Sequence, residues 1–463
     1  MKPKFHIVGG GINGIVSALY VKKQYKEYEV YLHESLSELG GKLLGFDYGK
    51  NEIYFDKGTH IFQESGNVFL DEIILEAIGK ENLTFYPPGK GDIVGSIHNN
   101  TLQTKSHFIN LQNNFRDAKA VKNHIDNLEN PLGQIDIYSS VSDQLEKRFG
   151  ANFRDEYENL FFSLFKTAPK ELSAICLSFV GFTRIVLDDF PKWIEQSQNS
   201  IYRSVVGTPN QLKLPKEYRN NRKSFYPKNK GTKSLITGLT GLMNKYGIKV
   251  IKNSKVQTIN QQNKEFNSLV NKEEISFGYD KILLASGVIS STKILDTTYP
   301  IELTPPMKTT FFNVELDHIT LKDVFYFYNF DSKENFYRVT NYRAFSKKAN
   351  DKRITIECFN CEVDVDEQLN NTLEYLETLG FIKNTIIVSV SIEEQPYGFP
   401  VLSLYNLNKI KELDKRLKLK TNKDLEVSGL GTNNFNFFQT EIIVDSMKII
   451  DRMCRINCNT QIY

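Results

Sequence analysis

The chain has 463 residues, 40% of them apolar and 24% charged, and a formal charge of only +3. This is globular composition with length for two or three domains, and so small a net charge excludes the basic field that nucleic-acid binders present. Its five cysteines (Cys176, Cys358, Cys361, Cys454 and Cys458) are sparse, odd in number and without a histidine pair, which speaks against a disulfide framework and a metal site and for reduced thiols.

At the N-terminus Lys2 and Lys4 precede an apolar run, but three glycines interrupt it where a signal peptide would stay apolar. No stretch reaches the ~18 apolar residues that cross a bilayer, so a cytoplasmic protein without a membrane span is expected. Phe5 to Val8 reads as a short strand, and Ile15, Val16, Leu19 and Tyr20 carry helical spacing. Between them Gly9, Gly11 and Gly14 form G-x-G-x-x-G, with Asn13 in the same loop. Gly9 permits the tight turn, Gly11 the approach of a diphosphate, and Gly14 close packing of helix on strand. A diphosphate there meets free N–H groups at the positive end of the helix.

A second strand, Glu29 to His33, ends on Glu34, 20 residues beyond Gly14, where a carboxylate suited to a ribose belongs. No arginine directly follows it, which disfavours a 2′-phosphate. Next come the turn Gly40-Gly41-Lys42 and the segment Asp56-Lys57-Gly58-Thr59-His60. With these motifs the chain resembles the flavin amine oxidase superfamily, which includes amine oxidases, phytoene desaturases, protoporphyrinogen oxidases and UDP-galactopyranose mutases. The resemblance implies non-covalent FAD, with Gly41 and Lys42 at its diphosphate, where a cation is favoured, and Gly58 and His60 beside its isoalloxazine ring.

Two later segments extend the resemblance. An amphipathic helix through Leu235, Leu239, Leu242 and Met243 leads to strands at Ile248 to Ile251, Lys255 to Ile259 and Lys281 to Leu284. In this family a valine placed like Val256 meets the adenine. Near the C-terminus, Leu425 to Asn433 reads as strand and turn before a helix from Thr440, and the resemblance puts Gly431 at the flavin. Leu430 stands where the family usually has arginine, and no cysteine lies close enough for covalent attachment of the flavin.

The expected fold is α/β, a Rossmann-like FAD-binding domain with an inserted α+β substrate domain. Residues 1–85, 226–290 and 396–463 would form the first, and 86–225 and 291–395 the second. The inserted blocks show helical stretches at Ser140 to Arg148, Phe153 to Phe165 and Glu367 to Leu379. They show strand-like runs at Thr309 to Leu316, Val324 to Phe330 and Arg353 to Phe359.

No G-x-S-x-G or H-E-x-x-H appears, as befits chemistry carried by a flavin, and no catalytic residue stands out. Arg338 and Arg343 form the best anion clamp for a substrate, while Tyr397 and Phe437 are candidates to wall the flavin pocket. The resemblance implies an FAD-dependent oxidoreductase that takes a hydride from a small-molecule substrate to flavin N5. A sugar-nucleotide mutase is the alternative, with a nucleotide-linked sugar as substrate, because Gly58 to Phe62 resembles the mutase stretch Gly-Pro-His-Ile-Phe with Thr59 replacing proline. A third reading is a flavin-free binding module akin to Rab escort proteins, which would have little use for an intact Glu34 and Gly-Gly-Lys turn.

Overall fold

Five short parallel strands lie in the order Lys249–Ile251, Glu29–His33, Lys4–Val8, Lys281–Leu284, Leu425–Val427. The computed structural model describes residues 2–48, 53–86, 94–219, 221–321, 323–331, 334–361 and 363–454. Phe5, Ile7, Val30, Leu32 and Leu283 of this sheet are wholly buried. Helix Ile12–Gln24 packs against helices Gly231–Lys245 and Gln439–Cys454. Strand order reverses direction between Lys4–Val8 and Lys281–Leu284, so the carboxyl ends of the strands open onto a switch-point crevice. The third strand arrives only at residue 249, which makes most of the first half of the chain an excursion from this sheet.

The excursions build a seven-stranded sheet, in the order Ile387–Phe399, Met307–Leu316, Arg353–Phe359, Arg338–Asn341, Tyr326–Asn329, Val94–His98, Thr101–Gln103. Pairing is antiparallel except between Tyr326–Asn329 and Val94–His98. Helix Val365–Thr378 seals this sheet by packing Leu369, Tyr375 and Leu376 into the cluster that holds Ile354 and Ile356. A helical block includes Phe115–Asp126, Val141–Phe149 and Ala151–Phe165, its core filled by Phe149, Phe153, Phe161 and Phe182. The architecture is the expected one: a Rossmann-like α/β part with an inserted α+β part.

Capping decides where several of these elements begin. Ser140 and Asp143 form a reciprocal capping box, so the helix starts at Val141 rather than Ser140. Asp364 accepts from the N–H groups of Asp366 and Glu367 and starts the next helix at Val365, two residues before the expected Glu367. The run expected over Val324 to Phe330 pairs only from Tyr326 to Asn329.

Three strands straddle the expected domain divisions. Leu83–Tyr86 and Ser224–Pro227 pair with each other and with Phe62–Gln63 across the divisions at 85 and 225. Ile387–Phe399 continues past 395 as an edge strand, the position where Pro396, lacking an N–H, is tolerated in a sheet. Strands Glu265–Val270 and Glu273–Gly278 complete a three-stranded sheet with Ser254–Asn260; their interspersed polar residues hid them from an apolar-pattern reading. Cys176, Cys358 and Cys454 are buried free thiols and Cys361 is partly exposed, whereas Cys458 lies outside the described residues. Among the described residues no metal-capable cluster occurs, and no helix is long and apolar enough to cross a membrane.

Candidate dinucleotide site and its neighbouring cleft

All the motif segments converge on the carboxyl edge of the parallel sheet. Gly9, Glu34, Ser286 and Ser428 each follow the end of a different strand. In the glycine loop the three positions differ in what surrounds them. A Cβ at Gly14 would lie 1.8 Å from the Gly9 carbonyl oxygen, whereas a Cβ at Gly11 would meet no protein atom within 4 Å. Gly14 therefore serves the packing of helix on strand, and Gly11 leaves an open face in front of the helix start.

Around that face the chain brings together a second glycine turn, a lysine and a buried carboxylate. The Gly10 carbonyl accepts from the Gly40 N–H at 2.8 Å, and a Cβ on Gly41 would lie 3.4 Å from the Gly11 Cα, so the second turn closes over the first. Lys42 follows, exposed to the cleft yet surrounded by protein. Desolvation, and then the nearby charge of Lys57, lower its pKa, and it has no anionic partner among the described residues.

Glu34 is buried. Its Oε2 accepts from the Gly10 N–H at 2.7 Å, and its Oε1 from the Leu36 N–H at 2.8 Å and the Ser35 hydroxyl at 3.0 Å. A carboxylate offers about four acceptor positions, which leaves one for a ribose hydroxyl. The Ser254 N–H donates to the Glu34 carbonyl oxygen at 2.8 Å, which brings the strand carrying buried Val256 alongside, and the ladder of that strand is irregular between Val256 and Thr258.

Asn13, an expected contact residue, and Asp56 of the D-x-G-x-H segment have structural partners. Asn13 is buried in a network in which its Oδ1 accepts from the Ser446 hydroxyl at 2.6 Å and its Nδ2 donates to Ser428 Oγ at 3.3 Å. It ties the first helix to the last strand and last helix. Asp56, the first residue of the D-x-G-x-H segment, accepts from the Thr232 N–H at 2.9 Å, from the Thr232 hydroxyl at 2.7 Å and from the Tyr226 hydroxyl. A buried carboxylate satisfied this way fixes the start of helix Gly231–Lys245 against residues 53 to 60.

The rest of that segment touches the seven-stranded sheet. Thr59 and Thr340 share a hydrogen bond between their hydroxyls, and a Cβ on Gly58 would lie 3.3 Å from both Arg338 Nη2 and Glu357 Oε2. His60 is in hydrogen-bond contact through Nε2 with the Lys57 carbonyl oxygen at 2.9 Å; a carbonyl only accepts, so Nε2 carries the proton and Nδ1 remains an acceptor. Burial lowers the pKa of His60, which is therefore neutral near pH 7.

Arg338 is brought to the expected neighbourhood, but its charge is already matched. Its Nε and Nη2 donate to the Glu357 carboxylate at 2.7 and 2.9 Å, and its guanidinium lies 5.1 Å from the Tyr337 ring centre. Arg343 sits beyond that strand on the short helix Tyr342–Ser346, half-buried and sharing no partner with Arg338, so the two do not form a joint clamp. The Tyr397 side chain lies outside the described residues. Gly431 turns with positive φ next to Asn436, whose carbonyl accepts its N–H at 3.0 Å. Phe437, a few residues on, lines a cavity of about 820 Å³ between this turn and the helical block. Arg148, Arg184 and Arg203 line the same cavity. In sequence Arg148 ends an expected helical stretch and Arg184 opens the run Arg184 to Asp188, and neither these nor Arg203 carries a signal of a binding site.

Fold and crevice together define a Rossmann-type dinucleotide-binding architecture. A family model described as an NAD(P)-binding Rossmann-like domain matches residues 7–72, and a comparison with curated proteins finds no match. Among solved structures, reduced UDP-galactopyranose mutase superposes with a TM-score of 0.68 at 13% identity, over 97% of this chain and 95% of that one. A putative protoporphyrinogen oxidase from Exiguobacterium sp. 255-15 gives 0.65 at 14%, covering 97% and 98%. A putrescine oxidase double mutant gives 0.58 at 12%, covering 98% and 99%. At such identities the likeness is one of fold. The resemblance to the flavin amine oxidase superfamily read from the motifs thus holds, as fold, along nearly the whole chain.

Proposed function

We propose that the protein is an FAD-dependent enzyme that holds its flavin non-covalently and oxidises a small molecule. The observation that carries this reading is the open face at Gly11, bounded by the Gly40-Gly41-Lys42 turn with an unpaired ammonium and by Glu34 with one acceptor position spare. Gly11, Gly41 and Lys42 would hold the diphosphate, with Gly14 letting the helix start approach it; Glu34 would hold the adenosine ribose, and Val256 the adenine. Gly58, His60 and Gly431 would border the flavin ring. On this reading residues 1–85, 226–290 and 396–463 serve the cofactor and the inserted blocks serve the substrate.

Bound FAD supplies a two-electron acceptor at N5. The chain's part is orientation and exclusion of water. Neutral His60, with Nδ1 free to accept, offers a hydrogen bond to a donor placed over Gly58, and the paired Arg338 and Glu357 close that end of the cleft without presenting net charge. A nicotinamide dinucleotide is the competing occupant suggested by the family model's description. The fold along the remaining chain favours flavin. The purified protein should be yellow and release stoichiometric FAD on denaturation; a colourless protein that cannot be reconstituted with FAD refutes the reading.

A second reading, isomerisation of a nucleotide-linked sugar, draws on the fold shared with UDP-galactopyranose mutase and on Gly58 to Phe62. Conversion of UDP-galactopyranose to the furanose form by the reduced protein, without oxygen consumption, would establish it over net oxidation.

A further inference from the structure

Three guanidinium groups meet at the 820 Å³ cavity between the helical block and residues 435 to 441. Arg148 is only 5% exposed, and it donates to the carbonyl oxygens of Gly133 at 2.7 Å, Thr183 at 3.3 Å and Ser204 at 3.4 Å. Its Nε has no partner. Arg184 has neither a hydrogen bond nor an ion pair among the described residues, and Arg203 donates only to the Ser197 carbonyl oxygen, at 2.5 Å. A buried arginine such as Arg148 is normally matched by a carboxylate, whereas Arg203 is half-buried and Arg184 exposed on the same cavity wall. Here Glu441 is the one acidic residue on the cavity wall, exposed and unpaired at the start of the last helix. The like charges also oppose one another. Desolvation, followed by the charge of Arg184, lowers the pKa of Arg148, and desolvation followed by Arg203 lowers that of Arg184. A stretch of uncompensated positive charge inside a cleft is stabilised by an anion. Apolar side chains, among them Ile175 and Phe437, also line the cavity.

We propose that this cavity binds the oxyanion group, phosphate or carboxylate, of a molecule with an apolar or aromatic body. Arg184 and Arg203 contact the oxyanion, and Arg148 is a positioning residue that pins the segments carrying Gly133, Thr183 and Ser204. The cavity wall at Phe437 continues directly from the turn at Gly431, so the body of the ligand extends toward the proposed flavin. Its role as the handle of the substrate rests on the flavoenzyme reading; the anion site itself does not.

Calorimetric titration of the purified full-length protein with phenyl phosphate, phenylacetate and neutral phenol tests this. Binding of one molecule of phenyl phosphate or phenylacetate, but not of phenol, is expected, the tighter of the two acids naming the oxyanion. Arg184→Ala should weaken it roughly tenfold, the equivalent of one charge-assisted hydrogen bond, with Arg184→Lys recovering part of the loss. Arg184 is exposed, so its variants should keep the wild-type melting temperature, and they decide the matter if Arg203→Ala fails to fold. Equal binding of phenol, unchanged affinity in Arg184→Ala, or no binding of either acid overturns the proposal. A colourless protein that still binds the acid through Arg184 overturns only the flavin reading, and a yellow one that does not bind overturns only this site.

Discussion

Arg338 and Glu357 stand directly opposite each other on neighbouring antiparallel strands and join through two parallel hydrogen bonds of 2.7 and 2.9 Å. Their side chains are 13% and 5% exposed, and Gly58 of the D-x-G-x-H segment lies against both. The pair is the junction at which the D-x-G-x-H segment meets the seven-stranded sheet.

Breaking one side of such a pair leaves a buried charge alone. Glu357→Ala should cost about 3–5 kcal/mol of unfolding free energy, while Arg338→Met with Glu357→Leu should recover most of it. Urea denaturation of the single variant and the double variant checks this. A cost below about 1 kcal/mol for Glu357→Ala would mean that solvent reaches the pair freely.

Gly11 and Gly14 should fail in different ways. Gly14→Ala forces a Cβ to within 1.8 Å of the Gly9 carbonyl oxygen and should lower the melting temperature or prevent folding. Gly11→Val meets no protein within 4 Å of its Cβ, so the chain should fold, and its visible flavin absorbance should vanish. Stoichiometric FAD in folded Gly11→Val would displace the diphosphate from the glycine loop.

Lys42 makes no ion pair among the described residues, so Lys42→Met should leave the stability of the apoprotein unchanged. On the proposed placement it removes one cation from the diphosphate and should weaken FAD about tenfold, read by fluorescence titration of the apoprotein.

His6 and His33 are buried with Nδ1 of the first 3.0 Å from Nε2 of the second, and His33 Nδ1 lies 2.9 Å from Ser254 Oγ. Burial lowers their pKa values to about 3 and about 4. The folded state therefore binds fewer protons than the unfolded chain below pH ~6.5, and stability falls as pH drops through that value toward 4. The slope approaches about 1.4 kcal/mol per pH unit for each histidine. Urea midpoints at pH 7 and pH 5 should differ less in the His6→Phe, His33→Phe double variant than in wild type. An unchanged difference would assign acid sensitivity elsewhere.

The strand, glycine turn, helix and acid from Phe5 to Glu34 were legible because each rests on local physics: period, turn chemistry and spacing along one chain segment. The same holds for the helices of the inserted blocks, whose ends alone moved by a residue or two through side-chain caps such as Asp364. Neither the work of Asn13 nor that of Asp56 was legible, because their partners lie hundreds of residues away or on a separate segment, at Ser446 and Thr232. Arg338 shows the same limit. Its residue type announced an anion clamp, and only the register of two strands placed Glu357 opposite to neutralise it. Arg148, Arg184 and Arg203 mark the converse, gathered by the fold around one cavity where none of them makes an ion pair among the described residues. Local pattern thus determined that a dinucleotide crevice exists and where its first half lies; which charges in it remain free was decided by long-range packing, since pairing depends on distance in space and not along the chain.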